Sequence, residues 1–355
     1  SPMDITQLET PALLLDYGMM QQNMRVMAEL IQGTGMRLYP HYKSHKCPQI
    51  ALLQIEQGAA GITCAKLSEA EDLAQAGVQT IVIANQVVQE EKLAKLASLA
   101  KRCHLTVCVD SEENILALEE ACARESALLH VLVEYDTGMH RCGVGSFEEV
   151  LSLAQCVAGQ KHLRFHGIQA YAGHLSHEKD GSLRRAALGE IEERVALLRD
   201  FLREKELTVH HICGGSTGFV AEKPENTAYT QLQCGSYLFC DHSFEGMGIP
   251  FRQSLFVLTT VLSVKADRVV VDCGVKSLSM DQEPPYFPAF PEAELVFSEE
   301  HTTILTENSD LLPGDMLMMI PGHCCTTVNT FDRFHVMNGE EILHVWPITS
   351  RGKAQ

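Results

Sequence analysis

The chain has 355 residues, 45% of them hydrophobic and 21% charged, enough to bury a barrel-sized core and a second, smaller one. A net charge of −18 excludes nucleic acid and anionic membranes as principal partners, because such surfaces are gripped by clustered Lys and Arg. Thirteen cysteines, scattered without C-x-x-C pairs, point to free thiols in a reducing compartment, and no apolar stretch approaches membrane-spanning length, so the sequence predicts a cytoplasmic protein.

From residue 38 to about residue 241, apolar β-prone runs alternate with amphipathic segments. The runs fall at residues 38–43, 60–65, 80–85, 105–110, 128–136, 163–171, 209–214 and 229–237. Eight strands separated by helices predict an α/β fold, a (β/α)8 TIM barrel over residues 12–245. One of the helices, over residues 67–76, carries Ser68 and Glu71 at the spacing of a capping box. Beyond residue 244 the pattern changes. Short runs at 255–264, 269–273, 316–320, 334–337 and 342–346, broken by Pro and Gly turns, predict a β-rich second domain of residues 246–355 together with 1–11.

Barrel enzymes carry their chemistry at the C-terminal ends of the strands. The first run ends in Tyr39-Pro40-His41-Tyr42-Lys43-Ser44-His45-Lys46. A lysine aimed into a barrel mouth is desolvated, loses its proton and attacks an aldehyde; a solvated loop lysine is the alternative. Strand alternation puts His41, Lys43 and His45 on one face and selects Lys43 over Lys46. The seventh and eighth runs lead into Cys213-Gly214-Gly215-Ser216-Thr217-Gly218 and Cys234-Gly235-Ser236-Tyr237, whose N–H groups and hydroxyls suit a phosphate. After the fifth, Arg141 either pairs with an anionic oxygen of a cofactor or substrate, or forms a loop-shaping salt bridge with Asp136. After the sixth, Tyr171-Ala172-Gly173-His174-Leu175-Ser176-His177 brings two imidazoles to the same mouth. In the second domain, His323 and Cys325 share a face if their segment is extended and could grip one divalent metal; a buried histidine among core cysteines is the other option.

In this order the segments resemble the D-threonine aldolase and D-serine dehydratase family, relatives of alanine racemase among the barrel-type pyridoxal-phosphate enzymes. The likeness also takes in Thr10-Pro11-Ala12, Gly61-Ile62-Thr63-Cys64-Ala65-Lys66, Asn85-Gln86-Val87-Val88 and Glu299-Glu300-His301, and so runs nearly end to end. The resemblance implies a Schiff base on Lys43, cofactor phosphate held by Ser216, Thr217, Gly218, Gly235, Ser236 and Tyr237, and Arg141 near the phenolate oxygen, with Tyr171 also at the cofactor. It further implies a catalytic metal at His323 and a homodimer. The Asn-Gln-Val-Val run, the Tyr-x-Gly-x-x-x-His spacing and Gln233-Cys234-Gly235-Ser236-Tyr237 look closer to the aldolases. Cys325 stands where the aldolases usually have an aspartate, as in the dehydratases, and a thiolate favours zinc over manganese or magnesium.

The resemblance leaves two reactions open for a small D-amino acid with a β-hydroxyl. In the first, His177 takes the hydroxyl proton and the Cα–Cβ bond breaks to give glycine and an aldehyde. In the second, Lys43 takes the Cα proton and zinc assists loss of hydroxide, giving a keto acid and ammonia. His177 points to the first and Cys325 to the second. The base decides which bond breaks, so the expectation is the retro-aldol lyase. Racemisation needs a second base that the sequence does not display, and a non-catalytic pyridoxal-phosphate carrier would have no use for the second domain or for His323 and Cys325.

Overall fold

The structure is a computed structural model and describes residues 3–218, 220–222 and 226–355. They partition into two compact units: residues 28–43 and 50–235 with the last three residues, and residues 3–27, 44–49 and 236–352.

The first unit holds eight strands, Arg37–Leu38, Ile62–Cys64, Thr80–Ile83, His104–Val109, Leu129–Glu134, Leu163–Gln169, His211–Gly214 and Gln231–Leu232. From the second to the eighth, each pairs in parallel with the next, and the eighth pairs in parallel with the first. The ring closes where Ala60 N donates to Leu38 O at 2.9 Å, Thr63 N donates to Pro40 O at 3.0 Å, and His41 bridges Thr63 in parallel. Every predicted barrel strand is present. Tyr39, Val82, Cys108, Leu132 and Cys213 pack together as a buried cluster, the inward side of the alternation. Helices Leu67–Gln75, Glu90–Ala100, Glu112–Glu125, Phe147–Ala158 and Gly181–Glu204 fill the connections. The cap of the first of these differs from expectation: Glu69, not Glu71, accepts the N–H groups of Ala65 and Lys66 at 3.0 and 2.9 Å, and Ser68 lies inside the helix.

The paired strands are shorter than the apolar runs. The first is shortest, because Pro40 has no N–H to donate and residues Tyr42–Ser44 turn into a 3-10 helix. The alternation used to place His41, Lys43 and His45 on one face therefore does not apply there.

In the second unit the sheet runs Leu295–Phe297, Thr302–Leu305, Arg268–Val271, Leu255–Lys265, Ala12–Asp16, Arg333–Asn338, Glu341–Pro347, with Met316–Met319 on Leu255–Lys265. Ala12–Asp16 lies in its middle, antiparallel to one neighbour and parallel to the other. A boundary at residue 12 would give this strand to the barrel; its run Leu13, Leu14, Leu15 is fully buried in this sheet instead, since an apolar run is covered only in a central strand. Leu295–Phe297 and Thr302–Leu305 were not predicted, being too short to show a period. Residues Cys324–Val328 form a helix, not the extended segment that would put His323 and Cys325 on one face. No helix of the described residues is long and apolar enough to cross a membrane.

At the N-terminal ends of four adjacent barrel strands stand His104, His130, His166 and His211, with ring centroids 4.1 Å apart for His104 and His130, 4.9 Å for His130 and His166, and 4.7 Å for His166 and His211. Burial, then the neighbouring rings, lowers His130 to about 4 and His166 to about 3. Below the ordinary imidazole value of 6.5 the unfolded chain therefore binds protons that the folded one refuses, so stability falls as pH drops from 6.5 towards 4. Metal-free protein should lose denaturant midpoint over this interval more steeply than a His166→Gln variant; parallel curves would show that the cluster is not responsible.

Candidate active site

Lys43 leaves the barrel seam two residues after the last closing bond. Tyr39 N donates to Leu232 O at 2.8 Å and His41 N to Cys234 O at 3.0 Å, so the stem of the lysine loop is held on both sides. Its own N–H donates to His41 Nδ1 at 3.2 Å. The Lys43 Nζ atom stands 5.9 Å from the ring centroid of Tyr171, and the Arg141 guanidinium carbon 5.7 Å from the same ring, so both side chains meet at one aromatic ring. Lys46 is placed differently: it has a positive φ of 51°, and its carbonyl accepts from Ser350 N in the β-rich unit.

The loops around Tyr171 are cross-tied. Thr137 Oγ1 donates to Tyr171 O at 2.8 Å, and Gly143 N donates to Asp110 Oδ2 at 2.9 Å. Asp136 does not pair with Arg141. It accepts from Gly138 N and His140 N at 2.9 and 3.0 Å and meets His140 Nδ1 at 3.0 Å; although desolvation opposes it, these bonds hold its carboxyl below the usual range. His174 Nε2 lies against Gly138, near enough that a Cβ there would sit 3.3 Å from it, which assigns that imidazole to the loop after strand five. His177, half-buried, follows in the segment after the Gly173–Leu175 turn. Sequence reasoning missed Glu134. It is buried, accepts from Gln86 Nε2 at 2.6 Å, and has its carboxyl raised by burial against the pull of that bond and of Arg141. Its position as the last residue of a barrel strand was the available signal.

The turn after strand seven is made by close approach. Gly215 has φ +99°, and a Cβ on it would lie 2.8 Å from Leu232 Cδ2; at Gly214 it would lie 2.7 Å from Ala170 O. Ser216 and Thr217 are thereby buried, and Thr217 Oγ1 has no hydrogen-bond partner among the described residues. A buried hydroxyl beside glycine N–H groups is an unfilled acceptor-seeking site, and a cofactor phosphate fits it. Gly235, with Ser236 and Tyr237 in the 3-10 turn Ser236–Leu238, follows strand eight.

In the β-rich unit, His323 precedes the helix Cys324–Val328, and its ring still meets the Cys325 thiol in a hydrogen bond. His323 Nδ1 is held by Asp281 Oδ2 at 2.8 Å, His323 N by Ser279 Oγ at 2.8 Å, and Asp281 Oδ1 also accepts from Thr326 Oγ1 at 2.8 Å. Burial opposes the charged ring, but the hydrogen bonds of Cys325 and Asp281, with the charges of Cys325 and Asp241, raise it to about 9. Asp281 was missed from sequence because nothing local ties it to a histidine 42 residues away. An imidazole and a thiol converging, with a carboxylate on the far ring nitrogen, match the donor chemistry and the supporting contact of a zinc site. Among the described residues no three His, Cys, Asp or Glu side chains already surround one point, so this pair supplies two donors only.

The alanine racemase N-terminal domain family matches residues 15–243, and a serine dehydratase domain matches residues 254–337. A D-threonine aldolase of Arthrobacter sp is 37% identical over 98% of this chain and 94% of its own length. The chain belongs to the D-threonine aldolase and D-serine dehydratase family. A 3-hydroxy-D-aspartate aldolase of Paracoccus denitrificans is 34% identical over 99% of this chain and 94% of its own length. The crystal structure of D-threonine aldolase from Filomicrobium marinum superposes with TM-score 0.95 at 34% identity, covering 100% of both chains. Membership of this family makes the chain a pyridoxal-phosphate-dependent lyase with the alanine racemase-like fold.

For a member of this family the Thr217 hydroxyl gives a sharp test. Thr217→Val is nearly isosteric and removes a buried donor with no partner among the described residues, so the cofactor-free protein should melt no lower than the parent. A lost hydrogen bond to a phosphate costs about 1.5–3 kcal/mol, so pyridoxal-phosphate affinity should drop roughly tenfold or more, read by absorbance titration. Unchanged affinity would remove Thr217 from the cofactor contacts.

Proposed function

We propose that the chain is a pyridoxal-phosphate- and divalent-metal-dependent lyase that cleaves D-β-hydroxy amino acids of the D-threonine kind to glycine and an aldehyde. The observation that supports this most directly is the Tyr171 ring, 5.9 Å from the Lys43 amine, in the loop that continues to His177. When bound, the cofactor spreads the negative charge left at Cα. Lys43 Nζ holds its aldehyde carbon, Arg141 and Tyr171 position its ring, and Ser216, Thr217, Gly218, Gly235, Ser236 and Tyr237 hold its phosphate. His177 takes the β-hydroxyl proton. His323 and Cys325 hold the metal, with Asp281 fixing the ring of His323. A cation there supplies Lewis acidity towards the hydroxyl, zinc being favoured by the thiolate over manganese or magnesium.

The two aldolase relatives support this bond cleavage, and so does the Tyr-x-Gly-x-x-x-His segment. The same proposal makes the protein a cytoplasmic homodimer acting on a small D-amino acid, consistent with thirteen free thiols. Cys325 and the serine dehydratase domain match favour a second reading, dehydration of D-serine or 3-hydroxyaspartate to a keto acid and ammonia.

Incubating the holoenzyme with D-threonine, D-serine and 3-hydroxy-D-aspartate, with and without chelator, separates them. Glycine plus aldehyde, lost on full metal removal, is the expected result; ammonia without glycine overturns the aldolase assignment. His177→Asn should lose cleavage by at least a hundredfold, as removal of a general base does, while keeping the cofactor's absorbance.

A further inference from the structure

The inward-facing layer at the N-terminal end of a TIM barrel is ordinarily filled by Val, Ile and Leu. Here strand alternation below Cys108, Leu132 and Cys213 brings His104, His130 and His211 to that layer, and His166 joins them. His166 enters through a bulge: the register against Leu129–Glu134 shifts between Val131 and Leu132, where Phe165 is followed by Gly167. Gly167 has φ +148°, and any Cβ on it would collide with the carbonyl of His211, so only glycine permits this aim. We propose that this floor is a second metal site, formed by His104, His130, His166 and His211 and taking a borderline divalent transition ion such as zinc, nickel or copper.

Two imidazoles bound to one ion at about 2.0–2.1 Å per nitrogen have ring centres about 5 Å apart. His166 lies close to that spacing from two of them, 4.9 Å from His130 and 4.7 Å from His211, while His104 is 6.0 Å from His166 and stacks on His130 at 4.1 Å, so it must swing off that ring to join them. His130 Nδ1 is buried with no hydrogen-bond partner among the described residues, so a lone pair or N–H there awaits one. No three donors yet surround one point, and binding requires ring rotation about χ2. Outside the cluster, the groups that act on His130, His166 and His211 are His210, Arg37 and Arg164, with no carboxylate among them. Without oxygen donors the floor has nothing to offer magnesium or calcium, and the two arginines disfavour any ion that relies on charge alone. Imidazole ligation of a borderline ion is what remains. His104 is exposed and gives the ion a way in. The site lies at the opposite end of the strands from Lys43, about 20 Å for a six-residue strand.

Cobalt titrated into the full-length protein carrying both His323→Asn and Cys325→Ser, which lacks both proposed donors of the catalytic metal, tests the proposal separately from the catalytic reading. In this variant the floor site should give ligand-field bands, displaced by zinc. His130→Gln with His166→Gln should abolish these bands. His104→Asn, at the exposed edge where folding is least disturbed, should weaken cobalt binding at least tenfold with an unchanged melting curve. Absence of the bands in the protein lacking His323 and Cys325, or equal cobalt affinity when His104→Asn is added to that folded protein, overturns the site and leaves the lyase assignment untouched.

Discussion

The closure of the barrel at its first strand is the constraint on which the rest of the site depends. That strand has only two ladder residues, Arg37 and Leu38, yet its continuation is bonded to both neighbours as far as His41. Pro40 can take part only as an acceptor, and it does so from Thr63. A closed ring leaves no edge at which backbone could drift, so the 3-10 turn carrying Lys43 starts from a root fixed on two sides. A flexible lysine on a fixed root can reach an aldehyde with little entropy to lose beyond its own side chain.

Charge at the mouth is sorted by loop geometry as well as by composition. The chain carries a large negative excess, but Asp136 is turned onto two backbone N–H groups and His140, and the buried Glu134 is engaged by Gln86. Arg141 lies at the ring of Tyr171 together with Lys43. The mouth therefore presents cations and N–H groups to an anionic ligand although the protein as a whole repels one.

The eight barrel strands were legible because buried parallel strands are continuous apolar runs, and the segments proposed to hold the cofactor drew notice because each lies directly after such a run. What escaped had physical reasons. The turn Tyr42–Ser44 is set by a proline and by ring closure, neither of which has a period. Helix Cys324–Val328 is too short for periodicity, and is stabilised by the carboxylate of Asp241, which accepts from Cys324 N at 2.5 Å from a residue 83 positions away. Asp281 is likewise joined to His323 only through tertiary structure. The floor histidines sit in strands whose apolar pattern they scarcely disturb, and their meeting depends on one bulge.

The Asp281 contact with His323 separates two tasks that a metal ligand usually combines. In the proposed metal site the choice of ion would rest with His323 and Cys325, while the imidazole is held by a carboxylate in a different segment. On that proposal, substitutions around Asp281 would retune the Lewis acid without exchanging either donor, and a swap at position 325 would change the ion without dismantling the contact that orients His323.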